Sequence, residues 1–272
     1  MPESSRSTDA PLSRALGLAR EALAESPAGL LTDFDGTLSP IVSDPALARL
    51  VEGAEGPLAE LSRRLAVVAI VTGRAPLDAR RMVGVPGILV AGNHGTEWLE
   101  PDADEPTTSP DLAAIQGRLD GLLARIPRLP GVVQEPKGIS ASVHYRGAPD
   151  PGAARAAILD ALGDAVAHGI ELRHGRMIVE LRPTGLGDKG SATRAIIERF
   201  GLRGAVVMGD DLTDLDMFAA VTEARRAGRL RGVVVAVGGA DHEAPDAVIE
   251  AADVTLADPA EAAVFLAKLV RS

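Results

Sequence analysis

The feature that most constrains the fold of this chain is a series of short apolar runs that each end abruptly in polar or glycine residues. The run from Ala28 to Leu31 stops at Asp33 and Asp35, and the runs at 65–71 and 88–91 end in Thr-Gly-Arg and Gly-Asn-His-Gly. Such runs are typical of strands that are buried on both faces of a sheet. Because helical segments separate them, the pattern predicts an α/β fold with a parallel sheet and right-handed crossovers.

The middle of the chain interrupts this pattern. An acidic, proline-rich stretch at 101–110 precedes helices that alternate with pairs of short strands, which predicts a separate α+β lobe, and the parallel pattern resumes after Pro183. The predicted parts are an N-terminal tail and helix (1–26), a discontinuous core (27–107 and 184–272) and an inserted domain (108–183). The predicted elements include helices at 12–23, 47–65, 112–126 and 153–167, and strands at 132–135, 139–145, 170–173 and 177–181.

The composition excludes several classes of partner. A net charge of -10 and a pI near 5.0, without any basic run, give no attraction for nucleic acid or an anionic membrane. The absence of cysteine leaves neither disulfides nor a thiolate metal site, as in proteins of a reducing compartment. No apolar segment approaches membrane-spanning length, and residues 1–27 lack the apolar block of a signal peptide. We therefore expect a cytoplasmic protein.

Lysine is scarce in this sequence. Lys137, Lys189 and Lys268 are the only lysines among 28 basic residues. A compact ammonium and a planar guanidinium are not interchangeable at a tight site. Because Lys137 and Lys189 both lie within polar motifs, we expect them to have specific roles.

Polar residues gather at four points where predicted strands end or helices begin. They are Asp33 and Asp35; Thr72, Gly73 and Arg74; Asp188, Lys189 and Gly190; and Asp210, Asp211 and Asp214. The carboxyl ends of parallel strands and the N-termini of helices meet at one edge of such a sheet, where one site could gather these groups. Carboxylates bind Mg²⁺, hydroxyl and N–H groups bind phosphate oxygens, a lysine neutralises developing charge, and an aspartate can be the nucleophile. The constellation predicts phosphoryl transfer.

Each motif alone also has a purely structural interpretation. Asp33 and Asp35 could serve as a helix N-cap and a turn acid, Thr72 as a strand-end hydroxyl, and Asp214 as the N-cap of the next helix. A calcium loop at Asp210 is disfavoured because the acids do not alternate around a central glycine. The occurrence of four motifs in order argues against coincidence.

The motif order Asp-x-Asp-Gly-Thr, Thr-Gly-Arg, Lys-Gly and Gly-Asp-Asp-x-x-Asp resembles the haloacid dehalogenase superfamily, from about residue 28 to residue 270. The resemblance implies a Rossmann-like core and a mobile α/β cap inserted between the second and third motifs. It implies that Asp33 is the nucleophile, and that Asp35 first protonates the leaving group and then activates water. The implied ligands are Thr72 and Lys189 for the phosphoryl group, and Asp33, Asp210 and the backbone carbonyl of Asp35 for Mg²⁺, with Asp211 and Asp214 supporting the metal site. Gly73 and Arg74 are predicted substrate contacts.

A second polar cluster lies in the inserted domain. Glu135 and Lys137 flank a predicted turn, and His144 and Arg146 share one face of a predicted strand at spacing i, i+2. With Glu180, these groups suit a polyhydroxylated ligand, because carboxylates accept hydrogen bonds from hydroxyls and cations bind a phosphate ester. A solvated, self-paired surface is the alternative.

This cluster, together with Leu-Ser-Pro-Ile at 38–41, Gly-Asn-His-Gly at 92–95 and Glu-Leu-Arg-Pro at 180–183, resembles the trehalose-6-phosphate phosphatases. The implied sugar ligands, for the glucose unit remote from the phosphate, are Glu135, Lys137 and Glu180, and Arg146 is implied to hold the cap closed. Asn93, His94 and His144 are further predicted substrate contacts, although His94 could instead close a tight turn. Leu215 stands where an acid is usual and Asn93 where serine is common, which leaves the fine substrate preference open.

The combined expectation is a Mg²⁺-dependent phosphatase that hydrolyses trehalose 6-phosphate through an aspartyl phosphate. Two alternatives stay open: a related enzyme for another sugar phosphate, such as sucrose phosphate or a glycosyl-phosphoglycerate, and a regulatory domain that keeps this fold without turnover. The expected partner is a small sugar phosphate, with neither nucleic acid nor membrane. Because 272 residues leave no room for a fusion partner, we expect any coupling to trehalose-6-phosphate synthase to be non-covalent.

Overall fold

The computed structural model describes residues 9–42, 44–108, 110–136, 140–175, 177–184, 187–238 and 244–271. The chain forms two compact units, which are a core unit from residues 1–107 and 188–272 and an inserted unit from residues 108–187. None of the helices in these described ranges has the length and apolar character that a membrane crossing requires.

The helices and strands follow each other along the chain. The helices are α1 (Asp9–Leu23), α2 (Glu55–Arg64), α3 (Pro76–Val83), α4 (Pro110–Arg125), α5 (Pro151–Ala161), α6 (Lys189–Arg199), α7 (Leu215–Arg226), α8 (Asp246–Ala251) and α9 (Pro259–Leu269). The strands are β1 (Ala28–Thr32), β2 (Val67–Val71), β3 (Leu89–Gly92), β4 (Glu97–Leu99), β5 (Thr107–Thr108), β6 (Val133–Pro136), β7 (Ala141–His144), β8 (Ile170–Gly175), β9 (Ile178–Pro183), β10 (Gly204–Gly209), β11 (Arg231–Val237) and β12 (Val254–Leu256).

The core sheet has the strand order β12-β11-β10-β1-β2-β3-β4-β5. The first six of these strands pair in parallel, so that β1 lies between β10 and β2. Strand β4 pairs antiparallel with β3, where Ala91 lies opposite Trp98. This mostly parallel sheet confirms the predicted α/β class, and its central strands β1, β2 and β10 carry polar motifs at their carboxyl ends.

Both faces of the core sheet are covered, which explains the uninterrupted apolar runs. Leu30 packs into the apolar cluster that includes residues of α1, α2 and α9, whereas Leu31 packs into the cluster that includes residues of α6 and α7. Both side chains are fully buried, and Val68 and Ala69 of β2 alternate in the same way. Because successive strand residues point to opposite faces, a strand without polar positions requires a helical layer on each side.

The inserted unit contains a four-stranded antiparallel sheet in the order β6-β7-β9-β8. Val143 and Val179 on one face of this sheet pack with Ile115 of α4 and Ile158 of α5 in a separate apolar core. Since strand residues alternate between faces, the other face carries the polar side chains. This architecture agrees with the predicted α+β lobe.

Two of the helix predictions are wrong in length. The helix predicted at 47–65 begins only at Glu55. The preceding chain cannot be helical, because Gly53 has a left-handed φ of 88° and the N–H of Val51 donates to the carbonyl of Leu38. The helix predicted at 153–167 ends at Ala161, and a separate 3₁₀ turn follows at 165–168.

The strand predicted at 139–145 is also shorter than expected. Strand β7 ends at His144, and the N–H of Ala148 donates to the carbonyl of Tyr145 at 3.2 Å, which closes a turn. Arg146 therefore lies in this turn and does not share a strand face with His144, as the spacing had predicted. Residue 139 itself lies outside the described part of the chain.

Candidate active site

The loop after β1 presents Asp33 and Asp35 at the carboxyl edge of the core sheet. The N–H of Asp33 donates to the carbonyl of Met208 at 3.0 Å, which extends the β1–β10 pairing by one residue. The chain then turns sharply, because the N–H groups of residues 38 and 39 donate to the carbonyl of Phe34 at 2.9 and 2.8 Å. Asp33 is thereby held at the strand end with only 4% of its surface exposed, and Asp35 is half-buried in the turn.

Gly36 allows this turn to approach the loop after β10. Its φ of 78° lies in the left-handed region, and a Cβ atom at this position would come within 1.9 Å of Asp210 Oδ2. The buried hydroxyl of Thr37 donates to Asp210 Oδ1 at 2.7 Å. The Asp-Gly-Thr pattern therefore joins the two acidic loops. The sequence interpretation did not assign this role to Thr37, although the residue is part of the first motif.

Lys189 begins α6 and reaches both acidic loops. The helix is capped by Asp188, whose Oδ1 accepts from the N–H of Ser191 at 2.6 Å. The Lys189 Nζ lies 2.9 Å from Asp33 Oδ1 and 2.7 Å from Asp214 Oδ1, and only 3% of the lysine is exposed. Burial alone would lower the pKa of Lys189, but the two carboxylates outweigh burial and raise it. The lysine is therefore a permanent cation inside the site.

Asp214 is a fully buried carboxylate that orders the loop after β10. Its Oδ2 accepts from the N–H groups of Asp210 and Asp211 at 2.9 and 3.0 Å, while its Oδ1 accepts from Lys189. Gly209 is required here, because a Cβ at that position would lie 2.5 Å from the Cβ of Asp214. Asp214 thus holds both the loop and the lysine.

Three buried carboxylates cluster at this edge and could hold a metal ion. Asp33, Asp210 and Asp214 each bring an oxygen within 4.8 Å of the others. Burial raises the pKa of Asp33 well above its usual range, with a further contribution from the charge of Asp214, and burial also raises the pKa of Asp210 to about 7. Crowded, buried carboxylates require a proton or a cation to neutralise them. Asp214 accepts from Lys189 and two amides, whereas Asp33 accepts from Lys189 and Asp210 from Thr37, so Asp33 and Asp210 have more acceptor sites left for a cation.

Arg74 binds the carboxylate of Asp35 with two hydrogen bonds. Arg74 Nε donates to Oδ2 at 2.6 Å and Nη2 donates to Oδ1 at 2.7 Å. Nη1 donates to the carbonyl of Pro45 at 2.8 Å, and the guanidinium carbon lies 5.8 Å from the ring centre of Phe34. The hydrogen bond to Asp35 raises the pKa of Arg74. The structure therefore places the predicted proton carrier and a predicted substrate contact in one ion pair.

The turn after β3 packs His94 against Gly73 of the Thr-Gly-Arg motif. A Cβ at Gly73 would lie 2.8 Å from His94 Cε1, so any larger residue here would require the imidazole to move. Asn93 and His94 have positive φ values of 48° and 58°, and Asn93 Nδ2 donates to Glu97 Oε2 at 2.8 Å. Burial lowers the pKa of His94, which favours the neutral ring. Thr72 is buried beside this turn, and its carbonyl accepts from the N–H of His94.

A cavity of about 570 Å³ opens at this edge of the core unit. Its lining unites nine of the predicted site residues: Asp33, Asp35, Thr72, Gly73, Arg74, His94, Lys189, Asp210 and Asp211. The lining is completed by Ile41, Val42, Pro45, Thr213 and Pro245, to which the sequence interpretation gave no role in the site. Asn93 and Asp214 are not part of the lining. Asn93 donates to Glu97, and Asp214 accepts from Lys189.

The inserted unit places Glu135 and Glu180 in one row on its sheet. Ser142 of β7 lies opposite Glu135 of β6 and opposite Glu180 of β9, so the three side chains share a face. His144 lies on the same face, two residues along β7. The antiparallel register thus brings together two acids that are 45 positions apart in the sequence.

Both acids have a partner within the inserted unit. Glu135 Oε2 lies 3.0 Å from His144 Nε2, and Glu180 Oε2 lies 3.0 Å from Arg182 Nη2. Exposed pairs of this kind contribute little stability, so a ligand could replace them at small cost. The other predicted contacts in this unit are Arg146, which is exposed in the turn after β7, and Lys137, which lies outside the described residues.

Residues 31–247 match the family described as Trehalose-phosphatase. The trehalose-phosphate phosphatase of Mycobacterium avium (strain 104) is 39% identical over 269 residues, which cover 94% of this chain and 66% of that relative. The trehalose-phosphate phosphatase of Mycobacterium tuberculosis (strain ATCC 25618 / H37Rv) is 36% identical over 224 residues, which cover 76% of this chain and 54% of that relative. The chain thus spans less than two thirds of the length of these curated relatives.

Solved structures with the same fold cover nearly the whole chain. The trehalose-6-phosphate phosphatase of Aspergillus fumigatus, in crystal form 2, has a TM-score of 0.68 and 23% identity over 97% of this chain and 98% of its own. The C-terminal domain of the trehalose-6-phosphate phosphatase of C. albicans has a TM-score of 0.59 and 24% identity over 96% of this chain and 97% of its own. The family match spans every polar motif at the edge of the core sheet, and the chain therefore belongs to the trehalose-phosphatase family.

Proposed function

We propose that this chain is a Mg²⁺-dependent phosphatase that hydrolyses trehalose 6-phosphate to trehalose and inorganic phosphate through an aspartyl-phosphate intermediate. The observation that carries the proposal is the buried carboxylate of Asp33 at the cavity, with Lys189 Nζ at 2.9 Å and Asp210 in the same acidic cluster. The family match and the names of the two mycobacterial relatives support the substrate class.

In the first step, a carboxylate oxygen of Asp33 attacks the phosphorus atom, and the bond from phosphorus to the sugar oxygen breaks. Asp35 donates a proton to that oxygen, which leaves as a hydroxyl group of trehalose. Lys189 and the hydroxyl of Thr72 bind the phosphoryl oxygens while negative charge spreads over them. Because Asp33, Thr72 and Lys189 are all buried, little water screens these interactions.

In the second step, a water molecule attacks the phosphorus atom of the aspartyl phosphate and gives a proton to Asp35. The bond between phosphorus and the oxygen of Asp33 breaks, and inorganic phosphate leaves. Asp35 thus loses a proton in the first step and regains one in the second, so both carboxylates end in the state in which they began.

The residues at this edge fit a divalent cation with oxygen ligands. Asp33 and Asp210 offer two buried carboxylates, and Gly36 lets the two loops approach each other, since a Cβ at this position would overlap the carboxylate of Asp210. These two carboxylates and the backbone carbonyl of Asp35 would hold Mg²⁺, while Asp211 and Asp214 would order the loop. When bound, Mg²⁺ supplies positive charge that neutralises the carboxylates and the phosphoryl oxygens.

The polar face of the inserted sheet is the proposed sugar-binding surface. Glu135 and Glu180 can each accept hydrogen bonds from several hydroxyl groups, which suits a disaccharide. Their alignment on either side of Ser142 supports this role, because the row presents two carboxylates about two strand spacings apart. Asn93, His94, Lys137, His144 and Arg146 are the remaining proposed substrate contacts.

Phosphate release from a panel of esters tests the proposed substrate. The panel consists of trehalose 6-phosphate, sucrose 6-phosphate, glucose 6-phosphate and p-nitrophenyl phosphate, each assayed with Mg²⁺ and with EDTA. We expect trehalose 6-phosphate to be turned over faster than the other sugar phosphates, and its turnover to stop in EDTA. Equal rates for all sugar phosphates would overturn the substrate assignment, and full activity in EDTA would overturn the role of Mg²⁺.

Two lysine variants provide a matched control for the site itself. Lys189→Met removes the buried cation between Asp33 and Asp214, whereas Lys268→Met removes an exposed lysine of α9. We expect Lys189→Met to lower kcat by about 100-fold to 1000-fold, the usual loss when a group that stabilises transition-state charge is removed. Lys268→Met should leave kcat unchanged, and equal effects of the two variants would contradict the site.

A further inference from the structure

The guanidinium of Arg74 is already engaged on two sides inside the core unit. Its Nε and Nη2 bind the two oxygens of Asp35 at 2.6 and 2.7 Å, and its Nη1 binds the carbonyl of Pro45 at 2.8 Å. Three of the five N–H donors of an arginine are therefore in use. The side chain is only 16% exposed, so this arrangement is built into the site.

The edge formed by Nε and Nη2 is one with which an arginine binds a phosphate through two parallel hydrogen bonds. In this structure that edge is directed at Asp35. A phosphoryl group could use it only by displacing the Asp35 carboxylate, which the proposed reaction needs for its proton transfers. The geometry therefore argues against Arg74 as a direct ligand of the substrate phosphate.

Arg74 is also what fixes the side chain of Asp35. The backbone of the turn is held by the hydrogen bond from the Gly36 N–H to the Ser39 carbonyl at 2.7 Å. Within the described residues, the hydrogen bonds to the Asp35 carboxylate come from Arg74 alone. Without Arg74, the two side-chain torsions of this half-exposed aspartate would be free to rotate, and the proton carrier would lose its alignment.

We infer that Arg74 is a positioning residue that orients the Asp35 carboxylate for proton transfer and does not bind the substrate phosphate itself. This inference rests on the proposed phosphatase function and adds one role to it. A lysine at position 74 would keep the positive charge but could not form the paired hydrogen bonds, so charge and orientation can be separated by mutation.

A double-mutant cycle between Arg74 and Asp35 tests the inference. The four proteins are the wild type, Arg74→Lys, Asp35→Asn and the double variant, each assayed with trehalose 6-phosphate and Mg²⁺. We expect Arg74→Lys alone to lower kcat by about 10-fold to 100-fold, as expected for a misplaced catalytic group, with KM nearly unchanged. In the Asp35→Asn background, the same substitution should change kcat by less than about twofold, because two residues that act as one unit are not additive.

A substrate with a good leaving group separates the two roles further. The phenolate of p-nitrophenyl phosphate needs little help from a general acid, whereas the sugar alkoxide does. The rapid release of nitrophenol in the first turnover should therefore change by less than about threefold in Arg74→Lys, since transfer to Asp33 itself is intact. If Arg74 instead binds the phosphate, both substrates should suffer equally.

The ion pair between Arg225 and Asp253 supplies the matched control. Arg225 Nη1 contacts the two oxygens of Asp253 at 2.9 and 2.7 Å in the same unit, away from the cavity lining. Arg225→Lys should leave kcat and KM unchanged, and thermal unfolding of both lysine variants checks that they fold. If Arg74→Lys does not fold, Arg74→Gln enters the same cycle.

Two results would overturn the inference. Additive losses in the double variant would show that Arg74 acts independently of Asp35, and an increase in KM with unchanged kcat would show that it binds the substrate. Both results require a wild type with phosphatase activity. A wild type that releases no phosphate from any ester would instead overturn the proposed function, together with the role of Arg74 within it.

Discussion

Replacement of the buried Asp214 by asparagine should destabilise the core unit. Its carboxylate is fully buried and accepts three hydrogen bonds, one from Lys189 and two from backbone N–H groups of the loop after β10. An asparagine has one oxygen and one NH₂ group. Whichever way the amide is turned, its NH₂ group would point either at Lys189 or at the two backbone N–H groups, and it could not accept a hydrogen bond from them.

The size of the expected loss in stability depends on whether Lys189 keeps a partner in the variant. Removal of one member of a buried ion pair costs about 3–5 kcal/mol when the remaining charge has no other partner. Because Lys189 keeps Asp33 at 2.9 Å, the expected loss in the free energy of unfolding is about 2–4 kcal/mol. For domains of about 150–250 residues this corresponds to a decrease in Tm of about 4–16 °C.

Thermal unfolding followed by circular dichroism measures this loss, with Asp253→Asn as the matched control. The carboxylate of Asp253 also accepts from one cation, Arg225, and from one backbone N–H, but its side chain is 26% exposed. Exposed pairs contribute about 0–1 kcal/mol, so this control should lower Tm by no more than a few degrees. Equal decreases in the two variants would refute the view that burial of Asp214 decides the cost.

Three further predictions concern the metal site, the turn and the sugar surface. Because burial raises the pKa of Asp210 to about 7, Mg²⁺ must displace a proton from this carboxyl group at lower pH. Calorimetry should therefore show an apparent Mg²⁺ affinity that falls by up to about tenfold per pH unit below that value. A pH-independent affinity would contradict Asp210 as a ligand. Gly36→Ala places a Cβ 1.9 Å from Asp210 Oδ2 and should weaken Mg²⁺ binding by at least about tenfold. The control is Gly53→Ala, because Gly53 has a similar φ of 88° and no neighbour within 4 Å. This control should lower Tm without changing Mg²⁺ binding. Glu180→Gln should lower kcat/KM for trehalose 6-phosphate by about tenfold and leave kcat/KM for p-nitrophenyl phosphate unchanged. The control is Asp160→Asn, which changes an exposed acid of α5. An equal loss of kcat/KM on both esters would argue against sugar binding by Glu180.

The parallel strands of the core sheet could be predicted from the sequence because their residues carry a strong signal. Strands β1 and β2 are buried on both faces, so nearly every position is apolar and the run itself marks the strand. The short strand β4, which lies between β3 and β5 and contains the half-buried Glu97, leaves no comparable pattern. The helix predicted at 47–65 begins only after Gly53, and the prediction is too long because a left-handed residue cannot be recognised from apolar spacing.

The polar motifs predicted which residues gather at the site, but not how their side chains pair. The parallel sheet brings backbone positions together at one edge, and the cavity unites four of the five expected acids with Lys189. Whether Asp35 meets Arg74, or Lys189 meets Asp214, depends on side-chain torsions and on competition among several possible partners. These choices are made by local packing, which the order of motifs does not contain.

The assignment of Asp33 as the nucleophile is the central claim, and acid-quenched peptide mapping tests it most directly. The enzyme is mixed with trehalose 6-phosphate and Mg²⁺ for less than one turnover, quenched in acid, digested and examined by mass spectrometry. We predict one added phosphoryl group on the peptide that contains Asp33, and none in the Asp33→Asn variant, which should also release no phosphate. A phosphoryl group on any other residue, or phosphate release by Asp33→Asn, would contradict the account.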